Sequence, residues 1–177
     1  MKKGLIQIYT GNGKGKTTAA TGQIIRAIAR DFRVMMVYFL KEEGGSGEMD
    51  VLKCLGVETL FWGGKYGRAF LKDKPVENKK RVREESGYFL QQIKDKLKKQ
   101  NYDLVVFDEI NVALDHGLVK EEELLSFLKD KPTCLEIILT GRKASQCVLN
   151  IADLVTEMRE VKHPYNKDIK MRKGIEY

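Results

Sequence analysis

The chain has 177 residues, 42% of them hydrophobic, and a formal net charge of +7, the size and apolar content of one compact domain able to bury a core. No stretch approaches the ~20 consecutive apolar residues of a membrane span, and the apolar run Leu5 to Tyr9 behind Met1-Lys2-Lys3 is too short for a signal-peptide core. A cytoplasmic protein with no membrane partner is therefore expected. Cys54, Cys134 and Cys147 are widely spaced, with no CxxC pair or neighbouring histidine cluster, and read as reduced thiols rather than as a zinc site.

Leu5 to Tyr9 reads as a short strand, Thr10 to Lys16 as a glycine-rich turn, and Thr17 to Arg30 as a helix. Arg33 to Leu40, rich in Val, Tyr and Phe, is a second strand, closed by the loop Gly44-Gly45-Ser46-Gly47. Glu58 to Trp62 reads as a third, and Gly63-Gly64 behind it as the start of an exposed, mobile loop. From Lys65 to Arg83 there are eight Lys or Arg against two acidic residues, most of the positive excess. A solvated face and a docking site for an anionic partner are both open at this point. Glu77 to Lys99 reads as a long charged helix with Val82, Phe89, Ile93 and Leu97 near one face.

Leu104 to Phe107 is a continuous apolar run of the kind found in central parallel strands, whose two faces are both buried. Asp108 and Glu109 end it. Lys120 to Leu128 then reads as a helix, Leu135 to Leu139 as a strand, Ser145 to Ile151 as a helix and Leu154 to Met158 as a last strand. This alternation predicts an α/β fold of P-loop NTPase-like (RecA-like) type, a three-layer sandwich with a mostly parallel central sheet, in one domain spanning residues 1–177.

Thr10-Gly11-Asn12-Gly13-Lys14-Gly15-Lys16-Thr17 ends in the Gly-Lys-Thr of a phosphate-binding loop and lies between a strand and a helix, as that motif requires. Its glycines allow backbone N–H groups to form an anion nest, and the helix N-terminus adds roughly half a positive charge. Lys16 supplies a full charge and Thr17 a hydroxyl for a magnesium ion. Thr10 stands where the usual pattern has a first glycine. Asp108-Glu109, at the carboxyl end of an apolar strand, matches the acidic half of such a site, which holds the metal directly or through water. A kinase and a nucleic-acid-stimulated ATPase both remain compatible with these parts, although no arginine-finger segment or separate nucleic-acid domain is apparent.

Several blocks narrow the choice. Thr10-Gly-Asn-Gly-Lys-Gly-Lys-Thr-Thr18, Phe39-Leu-Lys41, Asp108-Glu-Ile-Asn-Val-Ala-Leu114, Leu139-Thr-Gly-Arg142, Ala152-Asp-Leu-Val-Thr-Glu-Met158, Val161-Lys-His-Pro-Tyr165 and Gly174-Ile-Glu-Tyr177 together resemble the P-loop cob(I)alamin adenosyltransferases, in order and over nearly the whole chain. The resemblance implies transfer of the 5′-deoxyadenosyl group of ATP to the cobalt(I) of a reduced corrinoid, with release of tripolyphosphate, by a homodimer that binds no nucleic acid.

It further implies a triphosphate lying in the loop in the reverse of the common orientation, held by Lys14, Lys16 and the amides from Gly11 through Gly13 and Gly15 to Thr18, Asn12 included. Thr17 and Glu109 would hold Mg2+ or Mn2+, Asp108 would support the metal, and Arg26 and Arg142 would lie near the nucleotide. Lys16, Thr17 and Glu109 carry catalysis on this reading, and His116 and His163 are structural. Family members shield the lower corrin face with a Phe and a nearby Trp. The available pair here is Phe61-Trp62, with Tyr66 and Phe70 beyond it. The basic stretch from Lys65 to Arg83 is expected to dock an acidic, flavodoxin-type electron donor.

Overall fold

The computed structural model describes residues 3–71 and 78–176, with the side chains of residues 68–71 and 166 left out. Its centre is a six-stranded sheet in the order β3-β2-β4-β5-β1-β6. The strands are β1 (Ile6–Thr10), β2 (Val34–Lys41), β3 (Glu58–Gly63), β4 (Leu104–Asp108), β5 (Glu136–Thr140) and β6 (Leu154–Glu157). All adjacent pairs are parallel, so the sheet is wholly rather than mostly parallel. One strand, β5, separates the loop strand β1 from the carboxylate strand β4, as a RecA-like arrangement requires.

Helices cover both faces, which makes the three layers. Because successive strand residues face opposite ways, β2 divides its buried side chains between two cores. Val34, Met36 and Tyr38 meet Ala20, Ile24 and Ala27 of α1 (Lys16–Ile28) and Met49 and Leu52 of α2 (Gly47–Cys54). Met35, Val37 and Phe39 meet Leu90, Ile93 and Leu97 of α4 (Lys79–Lys99) and the short helices α5 (Ile110–Asp115), α6 (Glu121–Lys129) and α7 (Gln146–Ile151). β4 is buried along its whole length, as its unbroken apolar run requires.

Three α-helices were not expected from the sequence. α2 begins at Gly47, the last residue of the expected loop, and runs on to Cys54, α5 begins immediately after Glu109, and Gly64–Leu71 forms a helix, α3, where a mobile loop was expected. The glycines of α3 have a packing role. A Cβ on Gly67 would lie 2.0 Å from the Leu40 carbonyl oxygen, and one on Gly64 would lie 2.9 Å from that of Lys41. Their lack of a side chain lets α3 rest directly on the end of β2.

Candidate active site

The carboxyl ends of the parallel strands bring the phosphate loop and the two carboxylates together. Gly15, at φ 115°, turns the chain from β1 into α1. Lys16 is 7% exposed and curls back into the loop, its Nζ donating to the carbonyls of Gly11 (2.7 Å) and Gly13 (2.8 Å). Thr17 faces β4, where its Oγ1 donates to Oδ1 of Asp108 at 2.8 Å. The same oxygen accepts from Thr140 Oγ1 at 2.7 Å, and Oδ2 accepts from Lys41 Nζ at 2.6 Å. Asp108 is thus fully buried with both oxygens engaged.

Glu109 differs. Its backbone is left-handed (φ 60°), which aims its N–H at Thr140 Oγ1 (3.0 Å) and starts α5. Its carboxylate has no hydrogen bond from a described residue. Burial first, then the charge of Asp108, push its carboxyl above the ordinary glutamate range, against the pull of Lys41, Lys16 and Arg142. Lys16 is held below its ordinary value, chiefly by burial and secondarily by Arg142, with Glu109 and Asp108 opposing. Arg142, Lys16 and Glu109 are therefore electrostatic neighbours.

The donor set suits a small, hard cation. The Thr17 hydroxyl gives its proton to Asp108 and has its lone pairs left over, while Glu109 is a half-buried carboxylate whose charge a cation would neutralise. Among the described residues no group of three or more His, Cys, Asp or Glu converges as a metal cage. Thr17 and Glu109 together suit magnesium, which takes one or two protein ligands and completes its shell with water and phosphate oxygens.

Not every expected residue reaches the site. Arg26 lies ten residues from Lys16, ~15 Å along the helix axis, in the last turn of α1, with its guanidinium on Gln23 Oε1 (3.3 Å). It is at the far end of the helix that the loop begins, so this chain does not bring it to its own loop. Lys14, expected on the triphosphate, donates instead to Ile175 O and Glu176 Oε1, each at 2.9 Å. The amide of Gly13 is also taken, by Met158 O at 2.7 Å, and so is turned away from a phosphate nest. The close approach of the segment after β6 explains two glycines: a Cβ on Gly11 would lie 2.5 Å from Met158 O, and one on Gly13 2.8 Å from Arg159 O. Asn12 and Thr18 are exposed on the loop and first helical turn.

Phe61 and Trp62 do not form one wall. Neighbours on a strand point to opposite faces: Phe61 stacks on Tyr38 with ring centroids 5.1 Å apart, on the α1 side, whereas Trp62 packs against Phe39, Tyr66 and Phe89 on the other side. Both serve the core. Phe70 has no described side chain, and residues 72–77 of the basic stretch lie outside the described residues. Of the rest, Lys79 donates to His116 O and Arg81 to Glu85. His163 Nδ1 accepts from Tyr165 N, capping a 3-10 turn.

Three residues had no role assigned from the sequence. Lys41 and Thr140 hold Asp108, and their signals were their place directly behind apolar strands and within the blocks Phe39-Leu-Lys41 and Leu139-Thr-Gly-Arg142. Thr10, in place of the usual glycine, accepts a hydrogen bond from Ala144 N at 3.4 Å, tying the Arg142 loop to the phosphate loop.

The family model for ATP:corrinoid adenosyltransferase BtuR/CobO/CobP matches residues 2–177. A corrinoid adenosyltransferase of Sinorhizobium sp is 34% identical, over 99% of this chain and 81% of the relative. Corrinoid adenosyltransferases of Escherichia coli (strain K12) and Salmonella typhimurium are 32% and 33% identical, each over 99% of this chain and 87% of the relative.

Proposed function

Since the chain belongs to the ATP:corrinoid adenosyltransferase family, we propose that this site moves the 5′-deoxyadenosyl group of ATP onto the cobalt(I) of a reduced corrinoid. The observation that carries the reading is the meeting of Lys16, Thr17, Asp108 and Glu109 at the carboxyl ends of the strands of a parallel sheet, on a phosphate loop of the family's sequence.

The cobalt(I) lone pair attacks C5′ of ATP, the cobalt–carbon bond forms as the C5′–oxygen bond breaks, and tripolyphosphate leaves with the bonding pair. Cobalt(I) is a strong enough nucleophile to need no protein base. What the protein supplies is alignment of C5′ and stabilisation of charge gathering on the leaving group. Lys16 gives up its two carbonyl contacts for phosphate oxygens, and the amides of the loop other than Gly13 donate to the remainder. Thr17 and Glu109 hold the cation, Mg2+ or Mn2+, whose role when bound is to neutralise tripolyphosphate charge. Asp108 orients the Thr17 hydroxyl from behind. Arg142, a neighbour of Lys16 and Glu109, contributes further positive charge at the loop mouth.

Residues 1–177 act as one domain on this reading, as a homodimer in the cytoplasm, with an acidic flavodoxin-type donor reducing the corrinoid. Incubating the protein with ATP and chemically reduced corrinoid tests the core of it. The expected products are a light-sensitive adenosylcorrinoid and tripolyphosphate in equal amounts. ADP would indicate a kinase, and ADP plus phosphate rising with added DNA or RNA would indicate an ATPase.

A further inference from the structure

β2 does not end as a regular strand. Its pairing with β3 is in register through Phe39↔Trp62 and then shifts, so that Lys41 rather than Leu40 opposes Gly63. At the shift Leu40 adopts φ 62°, in the left-handed region that a leucine occupies only when its surroundings force it. Bulges of this kind re-aim a side chain, and they concentrate beside active sites. Here the bulge carries the Lys41 ammonium over the ring of Tyr38 (5.8 Å to the centroid) and onto Asp108 Oδ2. The surroundings that hold it are identifiable: α3 lies on the bulge, at an approach that only glycine permits at positions 64 and 67.

The pair stands in an unusual setting. Asp108 is fully buried, and beside it on β2 the hydroxyl of Tyr38 is buried with no hydrogen-bond partner among the described residues. The carboxylate of Glu109 follows that of Asp108 directly in the chain, so two like charges sit close together. With Lys41 on Oδ2, Asp108 is neutralised and rotationally fixed, and its Oδ1 is left to accept from Thr17 and Thr140. Without Lys41, the carboxylate would be held through Oδ1 alone, the Thr17 proton would have a less firmly fixed acceptor, and Glu109 would face an uncompensated neighbour.

We propose that Lys41 is a positioning residue for metal-bound ATP: the strained bulge at Leu40 holds its ammonium on Asp108, and Asp108 thereby orients the Thr17 hydroxyl towards the cation. This rests on the reading of Thr17 and Glu109 as the cation's protein ligands. Lys41 does not contact the nucleotide in this role. It differs in that respect from Lys16, and its loss acts only through the metal.

The test is calorimetric titration of ATP into wild-type protein, Lys41→Met, Lys41→Arg and Lys41→Gln, each with excess Mg2+ and with a chelator, together with melting curves. Wild-type affinity is expected to rise at least tenfold with Mg2+. Lys41→Met keeps the apolar stem and should bind ATP within about twofold of wild type in chelator, yet lose most of the Mg2+-dependent gain. Lys41→Arg should recover at least half of that gain, because a guanidinium reaches and neutralises the same carboxylate. Lys41→Gln keeps a donor to Oδ2 without the charge, stands in if the methionine variant does not fold, and is expected to show an intermediate gain.

Equal weakening with and without Mg2+ in a folded Lys41 variant would overturn the inference, since it would make Lys41 a direct phosphate ligand. A wild-type Mg2+ gain in Lys41→Met or Lys41→Gln would overturn it as well. Wild-type protein whose ATP affinity ignores Mg2+ would instead overturn the cation site itself, and is thereby distinguishable.

Discussion

The hydroxyl of Thr17, in the first turn of α1, donates across 2.8 Å to Oδ1 of Asp108 at the end of β4. A donor so oriented cannot give the same proton elsewhere, so its oxygen lone pairs face the loop. Asp108 meanwhile has both oxygens occupied, while the carboxylate of Glu109 accepts none of these hydrogen bonds. Glu109→Gln is therefore expected to weaken the apparent affinity for magnesium more than Asp108→Asn does. The melting temperature should show the reverse order, because Asp108→Asn leaves Lys41 without its anion in a half-buried position. Metal titrations and melting curves of both variants check the two rankings, and reversed metal ranks would make Asp108 the inner ligand.

Lys16→Ala should leave the fold intact, since Ala20, Ile24 and Ala27 anchor α1 independently of the loop. Turnover should fall by at least tenfold, corresponding to ~1.4 kcal/mol of lost leaving-group stabilisation. Steady-state kinetics with chemically reduced corrinoid measure it, and near wild-type turnover would remove Lys16 from the phosphate site.

Hydrogen bonds from Arg172 and then Lys14 hold the Glu176 carboxyl down at about 2. A depressed carboxylate favours the tail contact at pH values above the ordinary glutamate range, and that contribution is lost as pH falls through the folded value. A carboxyl-carbon NMR titration should find Glu176 ionised well below 4.5, and Lys14→Ala should move its midpoint upward. Saturating ATP should move it upward too if Lys14 leaves the tail for the triphosphate. An unchanged midpoint with ATP bound would keep Lys14 on the tail.

Trp62 packs among Phe39, Tyr66 and Phe89, so Trp62→Ala should cost roughly 3 kcal/mol of stability, with activity falling in step with the folded fraction. Phe61→Ala removes a ring stacked on Tyr38 alone among the described aromatic rings, against three such neighbours for Trp62, and should cost less. Thermal melts, read beside the four-coordinate cobalt(II) spectrum with ATP bound, separate packing from a corrin contact. A stable Trp62→Ala that loses the spectrum would return Trp62 to the corrin face.

Reversal of Lys79, Lys80 and Arg81 to Glu should slow the reaction driven by a reduced flavodoxin while sparing the one driven by a small chemical reductant. The donor-driven rate of the wild type should also fall with added salt. Equal slowing in both assays would exclude docking at this face.

The alternation of short apolar runs with amphipathic stretches made the sheet, its helices and the phosphate loop legible, because burial on two faces leaves an unbroken apolar run and burial on one leaves a periodic one. The Asp108-Glu109 strand end was legible for the same reason. α2 and α5 were not, since eight and six residues carry too little periodicity beside glycine-rich and polar neighbours. The division of Phe61 from Trp62 follows from strand geometry once β3 is known to reach Gly63.

The chain order alone thus determined a parallel α/β sandwich with a loop for phosphate and a carboxylate pair to face it, since those are local matters of pattern and spacing. Which lysine serves which anion was decided only by tertiary structure. Lys14 goes to Glu176, 162 positions away, and Lys41 goes to Asp108, 67 away. Sheet order, the bulge at Leu40 and the path of the tail choose those partners, and they depend on packing among segments that no local pattern relates.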